Sequence, residues 1–181
     1  MASETPFTIL LVEDNPADAH LFMSMLKELG MRLNVIVAGD GQRALSILTD
    51  CIASSSAPNL VILDLNLPKV HGYEVLSFLK SSPLRSVPVV VMTGSLNTED
   101  EARALSMGAA MYIIKPCTLE EYDNIVARLK SEIVPREYGR KGDDRASNAN
   151  LLGTRPASCP GTGAPALALP IAPWPALGDR R

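Results

Sequence analysis

Polar side chains that can bind a metal ion or a phosphoryl group follow four apolar, strand-like segments of this chain of 181 residues. Glu13 and Asp14 follow the first of these segments, Asp64 the second, Thr93 the third and Lys115 the fourth. The carboxyl ends of parallel strands meet at one edge of a sheet, where α/β proteins place their chemistry. The spacing therefore predicts that these groups converge on one pocket.

The three acids are the type of ligand that Mg²⁺ prefers, since this ion binds hard oxygen atoms and keeps several of its waters. We expect Asp14 and Asp64 to coordinate Mg²⁺ directly, Glu13 to do so through a water, and the backbone carbonyl of Asn66 to join them. Without a cation, a pair of carboxylates ~4 Å apart would repel by about 4 kcal/mol at an effective dielectric constant of about 20. Cation binding relieves this repulsion, which explains the concentration of acids.

Asp64 is predicted to accept a phosphoryl group as an acyl phosphate, because an aspartate carboxylate can act as a nucleophile. The transition state of phosphoryl transfer spreads negative charge over the equatorial oxygens, so catalysis depends on positioning and neutralisation. The ammonium group of Lys115 and the hydroxyl of Thr93 are the expected partners of those oxygens. Gly94 leaves room for a bulky group to approach.

Short apolar segments alternate with amphipathic helical patterns along residues 7–137. This alternation predicts a flavodoxin-like α/β fold, a doubly wound parallel sheet with helices on both faces. The alternation alone does not fix the strand order, and the convergence of acids at the ends of the first and third strands favours the order 2-1-3-4-5. The helical pattern at 98–107 is the weakest, since only Ala102 and Leu105 are clearly apolar. The five predicted strands are 7–12, 33–37, 59–63, 88–92 and 111–114.

Residues that typically begin and end helices support these borders. Gly30 suits a helix C-terminus. The predicted helix starts are Asn15 followed by Pro16, Thr98 with Glu101, and Thr118 with Glu121.

The composition divides the chain near residue 137. Residues 1–137 hold 17 Asp and Glu against 11 Lys and Arg, whereas 138–181 hold 3 against 6 and are rich in proline, glycine and alanine. We predict one domain at 1–137 and a disordered tail at 138–181. The acidic balance of the domain argues against direct binding of nucleic acid.

No apolar run approaches the roughly 20 residues of a membrane span. The first residues lack the basic start of a signal peptide, and the three cysteines have no metal-ligand or disulfide spacing. These observations predict a cytoplasmic protein that does not enter a membrane.

Four motifs carry a resemblance to the receiver domain of two-component response regulators, over about residues 6–133. They are Val12-Glu13-Asp14-Asn15, Leu63-Asp64-Leu65-Asn66-Leu67-Pro68, Met92-Thr93-Gly94-Ser95 and Ile114-Lys115-Pro116.

The resemblance implies that Asp64 takes its phosphoryl group from the phosphohistidine of a histidine kinase. Glu13 and Asp14 are then the acidic pair that binds Mg²⁺, Thr93 is the switch hydroxyl, and Lys115 is the lysine of the site. With no room for a DNA-binding domain after the receiver, output would run through protein contacts or a phosphorelay.

Tyr112 matches the switch aromatic residue of the family, and the bond between Lys115 and Pro116 would be cis. Phosphorylation would pull Thr93 toward the phosphoryl oxygens while Tyr112 turns inward. The surface of the fourth helix, fifth strand and fifth helix would change and could form a two-fold homodimer. The residues that could pair across it are Glu99, Asp100, Glu101, Arg128 and Lys130.

The segment from Asp64 to Leu76 is most similar to small stand-alone receivers paired with phytochrome-type histidine kinases. One departure is His71, where receivers commonly carry Asp, and we interpret it as a solvated loop residue.

Two other functions stay open at this point. A pseudo-receiver would be an interaction module that no longer takes phosphate, and the complete site argues against it. An aspartyl-phosphate phosphatase would need an acid two residues after its nucleophile, where this chain has Asn66. We therefore expect a phosphoacceptor with at most slow self-dephosphorylation rather than an enzyme.

Overall fold

Strands and helices alternate along the chain as the apolar pattern predicts. The computed structural model describes residues 6–116 and 118–134. The strands are β1 (Phe7–Val12), β2 (Leu33–Ala38), β3 (Leu60–Leu63), β4 (Val89–Thr93) and β5 (Met111–Ile114). The α-helices are α1 (Pro16–Leu26), α2 (Gly41–Ala53), α3 (Gly72–Ser81), α4 (Thr98–Ser106) and α5 (Leu119–Glu132), and a 3₁₀ turn (Lys27–Leu29) extends α1.

All five strands are parallel and form one sheet of order β2-β1-β3-β4-β5, which confirms the predicted topology. The register places Val12 beside Leu63, and Thr93 beside Ile114. The residues after β1 and β3 therefore lie next to each other, and those after β4 and β5 lie at the same edge of the sheet.

The two faces of the sheet bury separate apolar clusters, because the strands alternate side chains between them. Helices α2, α3 and α4 cover one face, and α1 and α5 cover the other. Leu10 and Val61 are fully buried on the first face, and Ile9 and Phe22 are buried on the second. The strands are covered on both sides, which explains their nearly continuous apolar sequences.

Most of the predicted helix ends are confirmed. The Asn15 side chain accepts a hydrogen bond from Ala17 N ahead of Pro16, and Thr118 forms a capping box with Glu121. Gly30 ends the turn after α1 with a left-handed φ of 67°.

The predicted N-cap of α4, Thr98, is wrong by one residue. Asn97 is the N-cap, and its side-chain oxygen accepts a hydrogen bond from Glu99 N at 3.0 Å. Asparagine is a stronger N-cap than threonine, so the helix begins one residue earlier than the Thr98–Glu101 pair indicates.

The expected cis bond before Pro116 is also not found, since no peptide bond among the described residues is cis. The two isomers of a bond to proline differ in free energy by only about 0.5–1 kcal/mol. A resemblance to a family is therefore a weak basis for predicting the isomer of the bond before Pro116.

No described helix is long and apolar enough to cross a membrane. The predicted tail at 138–181 lies outside the described residues, so its expected disorder stays a prediction.

Candidate functional site

Asp64 lies directly beyond β3 and is only 4% exposed. Its backbone N–H donates to the Val12 carbonyl at 3.0 Å, which continues the pairing with β1 one residue past the end of β3. Its Oδ1 accepts a hydrogen bond from Asn66 N at 3.1 Å. The carboxylate is therefore held in one orientation at the edge where the strands end.

Gly72, the first residue of α3, allows the chain to fold back onto Asp64. A Cβ atom at this position would lie 2.6 Å from Leu65 Cα and would overlap the Asp64 carbonyl. Glycine is thus required for α3 to begin so close to the acid.

Lys115 is the cation of the site and contacts three carboxylates. Its backbone N–H donates to Thr93 O at 2.8 Å. Its Nζ lies 2.7 Å from Asp64 Oδ2, 2.8 Å from Glu13 Oε2 and 3.2 Å from Asp18 Oδ2. Burial alone would lower the pKa of Lys115, but the hydrogen bonds to Asp64 and Glu13 outweigh burial and raise it.

Asp18 is a member of this cluster that the sequence analysis missed. It lies in the first turn of α1, and about a third of its side chain is exposed. The available signal was its position, since the first turn of a helix that follows β1 starts at the edge where Lys115 also lies.

Glu13, Asp14 and Asp64 lie together as predicted, with one carboxylate oxygen of each within 4.8 Å of the others. Glu13 is 2% exposed, whereas Asp14 faces solvent. Burial raises the pKa of Glu13, although Lys115 and the Asn15 N–H, which donates at 3.2 Å, oppose this effect. Three hard oxygen donors with one open side fit a divalent cation such as Mg²⁺.

Thr93 is completely buried at the end of β4. Its Oγ1 accepts hydrogen bonds from Asn66 Nδ2 and from Ser95 N, both at 3.4 Å. Asn66 therefore links the loop after Asp64 to Thr93, and its backbone N–H and side-chain amide are both engaged at the site. Its carbonyl as a metal ligand stays a prediction.

Tyr112 lies on β5, which is one strand further from Asp64 than β4, the strand of Thr93. It is half-buried, and its hydroxyl donates to the Ser95 carbonyl at 3.2 Å. Burial raises the pKa of Tyr112. Tyr112 thus contacts the loop that follows Thr93, whereas the other predicted site residues surround Asp64.

His71 is exposed in the loop before α3, in agreement with its interpretation as a solvated loop residue, and it is also the N-cap of this helix. Its Nδ1 accepts a hydrogen bond from Tyr73 N at 3.3 Å, and Glu74 Oε1 accepts one from the His71 N–H at 3.4 Å. An imidazole nitrogen can replace the usual aspartate oxygen as the acceptor because the neutral ring has one free lone pair.

The profile of the response regulator receiver domain matches residues 9–127. The probable methanogenesis regulatory protein FilR2 of Methanothrix harundinacea is 43% identical over 132 residues, which cover 72% of this chain and 85% of that protein. Response regulator Rcp1 of Synechocystis sp. is 37% identical over 132 residues, covering 71% of this chain and 90% of Rcp1.

Two solved structures match the fold. The Mn²⁺-bound form of Rcp1 has a TM-score of 0.63 at 37% identity and covers 70% of this chain and 93% of that chain. The phosphorylated cyanobacterial phytochrome response regulator RcpA has a TM-score of 0.65 at 36% identity and covers 71% of this chain and 94% of that chain.

Proposed function

This chain belongs to the receiver domains of response regulators, and from that premise we propose that Asp64 accepts a phosphoryl group from the phosphohistidine of a sensor histidine kinase. The observation that carries the proposal is the arrangement at Asp64. The acid is buried at a strand end, its Oδ2 lies 2.7 Å from Lys115 Nζ, and two further carboxylates lie beside it. The solved structure of phosphorylated RcpA supports this choice of chemistry.

In the transfer, a carboxylate oxygen of Asp64 forms a bond to phosphorus, and the bond from phosphorus to the imidazole nitrogen breaks. The electron pair of that bond returns to the imidazole ring. Asn66 N and Lys115 Nζ hold the two oxygens of the Asp64 carboxylate, so little reorientation is needed before attack. Lys115 would neutralise charge on the phosphoryl oxygens, and the Thr93 hydroxyl would donate a hydrogen bond to them.

Glu13, Asp14 and Asp64 would hold Mg²⁺, with the Asn66 carbonyl as a further ligand. Mg²⁺ bound there would supply positive charge that offsets the negative charge of the phosphoryl oxygens. The residues themselves provide the hard oxygen ligands, and Lys115 limits the repulsion among the acids. The Mn²⁺-bound structure of Rcp1 supports a divalent cation in this family.

The same site favours a stored phosphoryl group over rapid turnover. An aspartyl-phosphate phosphatase would need a general acid two residues after its nucleophile, and the Asn66 amide at that position cannot move a proton in that role. Its Nδ2 instead donates to Thr93 at 3.4 Å. We therefore propose a phosphoacceptor with slow self-dephosphorylation in preference to a phosphatase or a pseudo-receiver.

The decisive experiment incubates the full chain with Mg²⁺ and a small-molecule phosphodonor. We expect one acid-labile phosphoryl adduct per chain by intact mass, absent in Asp64→Asn. Asp50→Asn is the matched control, because Asp50 is an exposed aspartate on α2. An adduct that persists in Asp64→Asn would contradict the proposal, and multiple turnover on phosphate monoesters would favour the phosphatase.

We propose a phytochrome-type histidine kinase as the partner, acting with this receiver in the cytoplasm. The support is the 36% identity to RcpA, a cyanobacterial phytochrome response regulator. In phosphotransfer from a panel of autophosphorylated kinases at equal concentration, we expect the phytochrome-type kinases to react first. Equal rates of phosphotransfer from all kinases of the panel would contradict the proposal of a phytochrome-type partner.

Output is proposed to run through a homodimer formed by the surface of α4, β5 and α5. Three exposed apolar side chains support this surface: Leu96 before α4, Leu105 on α4 and Ile114 on β5, which are 56%, 42% and 44% exposed. Of the charged residues expected to pair there, Asp100 is already bonded to Tyr73 and Ser95. Equilibrium sedimentation with and without beryllofluoride tests the dimer, and Leu105→Glu should weaken it.

A further inference from the structure

Tyr73 connects α3 to α4 through its hydroxyl. The ring is 8% exposed, and the hydroxyl lies 3.0 Å from Asp100 Oδ1 and 3.1 Å from the Asp100 carbonyl. Asp100 lies in the first turn of α4. The contact therefore joins the beginning of the two helices that flank the loops after Asp64 and Thr93.

The second carboxylate oxygen of Asp100 extends this connection to the loop after β4. Asp100 Oδ2 accepts a hydrogen bond from Ser95 Oγ at 2.5 Å. The Ser95 backbone donates to Thr93 Oγ1 at 3.4 Å and accepts from the Tyr112 hydroxyl at 3.2 Å. Ser95 is therefore bonded to both residues of the predicted switch, and Asp100 holds its side chain.

Two neighbouring side chains pack on the Tyr73 ring. The His71 ring stacks on it at a centroid distance of 5.4 Å with an interplanar angle of 12°. The Arg103 guanidinium lies 4.1 Å from the ring centroid, a cation–π contact from α4. Because the ring cannot easily turn away, its hydroxyl stays directed at Asp100.

We propose that Tyr73, Asp100 and Ser95 form a clasp that restrains the β4–α4 loop against the movement that Thr93 makes toward a phosphoryl group on Asp64. The inference deepens the proposed function and rests on it. The clasp residues are positioning residues, since none of them reaches Asp64. They act on the phosphoryl group only through the bond between Ser95 and Thr93.

The clasp has a thermodynamic consequence that can be measured. If the clasp must loosen when Thr93 moves, it stabilises the protein without a phosphoryl group. The clasp then lowers the affinity of the protein for a phosphoryl mimic. Removing one clasp hydrogen bond should then strengthen the binding of a phosphoryl mimic. Hydrogen bonds to charged groups are strong enough for a change on the order of threefold to tenfold.

The test measures beryllofluoride binding to the full chain in Mg²⁺ by calorimetry or NMR. We expect Tyr73→Phe and Ser95→Ala each to bind beryllofluoride on the order of threefold to tenfold more tightly than wild type. The double variant should gain less than the product of the two single gains, because both bonds end on Asp100. A variant that merely unfolds would lose affinity, so a gain separates the clasp from a general structural role.

Two controls isolate the clasp. Ser81→Ala removes a hydroxyl on α3 that bonds to the Ser77 and Phe78 carbonyls of its own helix, and its affinity should match wild type. Arg103→Gln removes the contact over the ring but retains the Tyr73 hydroxyl, so its gain should be smaller than that of Tyr73→Phe. Unchanged or weaker binding in both Tyr73→Phe and Ser95→Ala would overturn the clasp while leaving phosphorylation of Asp64 intact.

Amide hydrogen exchange without any phosphoryl mimic tests the clasp separately from the proposed function. We expect faster exchange across 94–100 in Tyr73→Phe and Ser95→Ala, with the rest of the chain unchanged. If wild type binds no beryllofluoride and takes no phosphoryl group, the proposed function fails, and the exchange result still decides whether the clasp restrains the loop. Exchange equal to wild type would show that it does not.

Discussion

Lys115 lies within ion-pair distance of three carboxylates, and two of them, Glu13 and Asp64, are almost fully buried. A buried carboxylate is costly when its cation is removed, because its charge is then neither hydrated nor paired. We expect Lys115→Met to lower the free energy of unfolding by about 3 kcal/mol. Mg²⁺ should raise the Tm of this variant more than that of wild type, because the added ion replaces the missing positive charge. Thermal unfolding with and without Mg²⁺ measures both effects.

Lys69→Met is the matched control for this prediction. Lys69 also forms a short ion pair, 2.5 Å from Asp40, but its side chain is 64% exposed. Exposed pairs contribute little to stability, so we expect almost no change in Tm and no dependence on Mg²⁺. An equal decrease in Tm for Lys115→Met and Lys69→Met would show that the stabilisation by Lys115 does not depend on the burial of Glu13 and Asp64.

The titration of the Tyr73 hydroxyl should be measurable and should make stability depend on pH. Burial, and the hydrogen bond to Asp100, raise the pKa of Tyr73 from 10.0 to about 12. Since the folded-state pKa is the higher one, this contribution to stability is complete below pH 10 and is lost as the pH rises from 10 to about 12. We expect phenolate absorbance to show a component near pH 12 that Tyr73→Phe removes. Tyr122→Phe should keep that component, and its loss there instead would reassign the shifted group.

Helix α3 begins where the backbone of the loop after Asp64 leaves no space for a side chain. Alanine at position 72 would normally favour a helix over glycine by about 1 kcal/mol. The overlap of its Cβ with the Asp64 carbonyl should outweigh this gain, and we expect Gly72→Ala to cost about 1–3 kcal/mol. The variant should also be phosphorylated more slowly, since the Asp64 backbone must shift.

Gly39→Ala is the control for this prediction, because a Cβ there would meet nothing within 4 Å. We expect little change in the urea midpoint of Gly39→Ala and a clear decrease for Gly72→Ala. Similar midpoints would mean that the loop after Asp64 adapts to the added methyl group at low cost.

The elements were predictable where the signal is local. The five strands and their parallel arrangement follow from short apolar runs and right-handed crossovers, whereas their order was favoured by the acids expected to converge at the ends of the first and third strands. The N-cap of α4 was missed because Asn97 and Thr98 compete for one cap, and the sequence does not show which backbone conformation wins.

Contacts between helices were not predictable in the same way. The bonds of Tyr73 to Asp100, 27 residues apart, depend on how α3 and α4 are oriented on the sheet. The spacing of apolar residues along the two helices does not indicate that orientation. The contact of Asp18 with Lys115 joins residues 97 apart, and the only signal for it in the sequence is the place of Asp18 in the first turn after β1. The chemistry at the strand ends was thus accessible from sequence, whereas the network around it required the packed structure.

At the scale of the whole molecule, the site depends on the complete sheet. The contact of Lys115 with Glu13 joins residues 102 apart in the chain, one directly after β5 and the other directly after β1. Residues so distant meet only after β3 and β4 have assembled between those strands. Loss of any central strand should therefore abolish the site together with the fold.

The folded unit extends at least to the last buried residues of the described chain. Leu129 on α5 is 1% exposed, and Val134 just beyond this helix is 7% exposed. We propose that the receiver domain ends by residue 137, as the change in composition indicates, and that 138–181 contribute nothing to its stability. A chain of residues 1–137 should then unfold at the same Tm as the full chain and be phosphorylated on Asp64 at the same rate.

A chain of residues 1–128 is the matched comparison, because it lacks both Leu129 and Val134. Burial of one such side chain contributes about 1.5–3 kcal/mol, so the shorter chain should lose several kcal/mol and a large part of its cooperative transition. Calorimetry of the three chains measures the difference. A Tm for 1–137 that falls clearly below that of the full chain would instead locate stabilising contacts in 138–181 and move the domain boundary beyond residue 137.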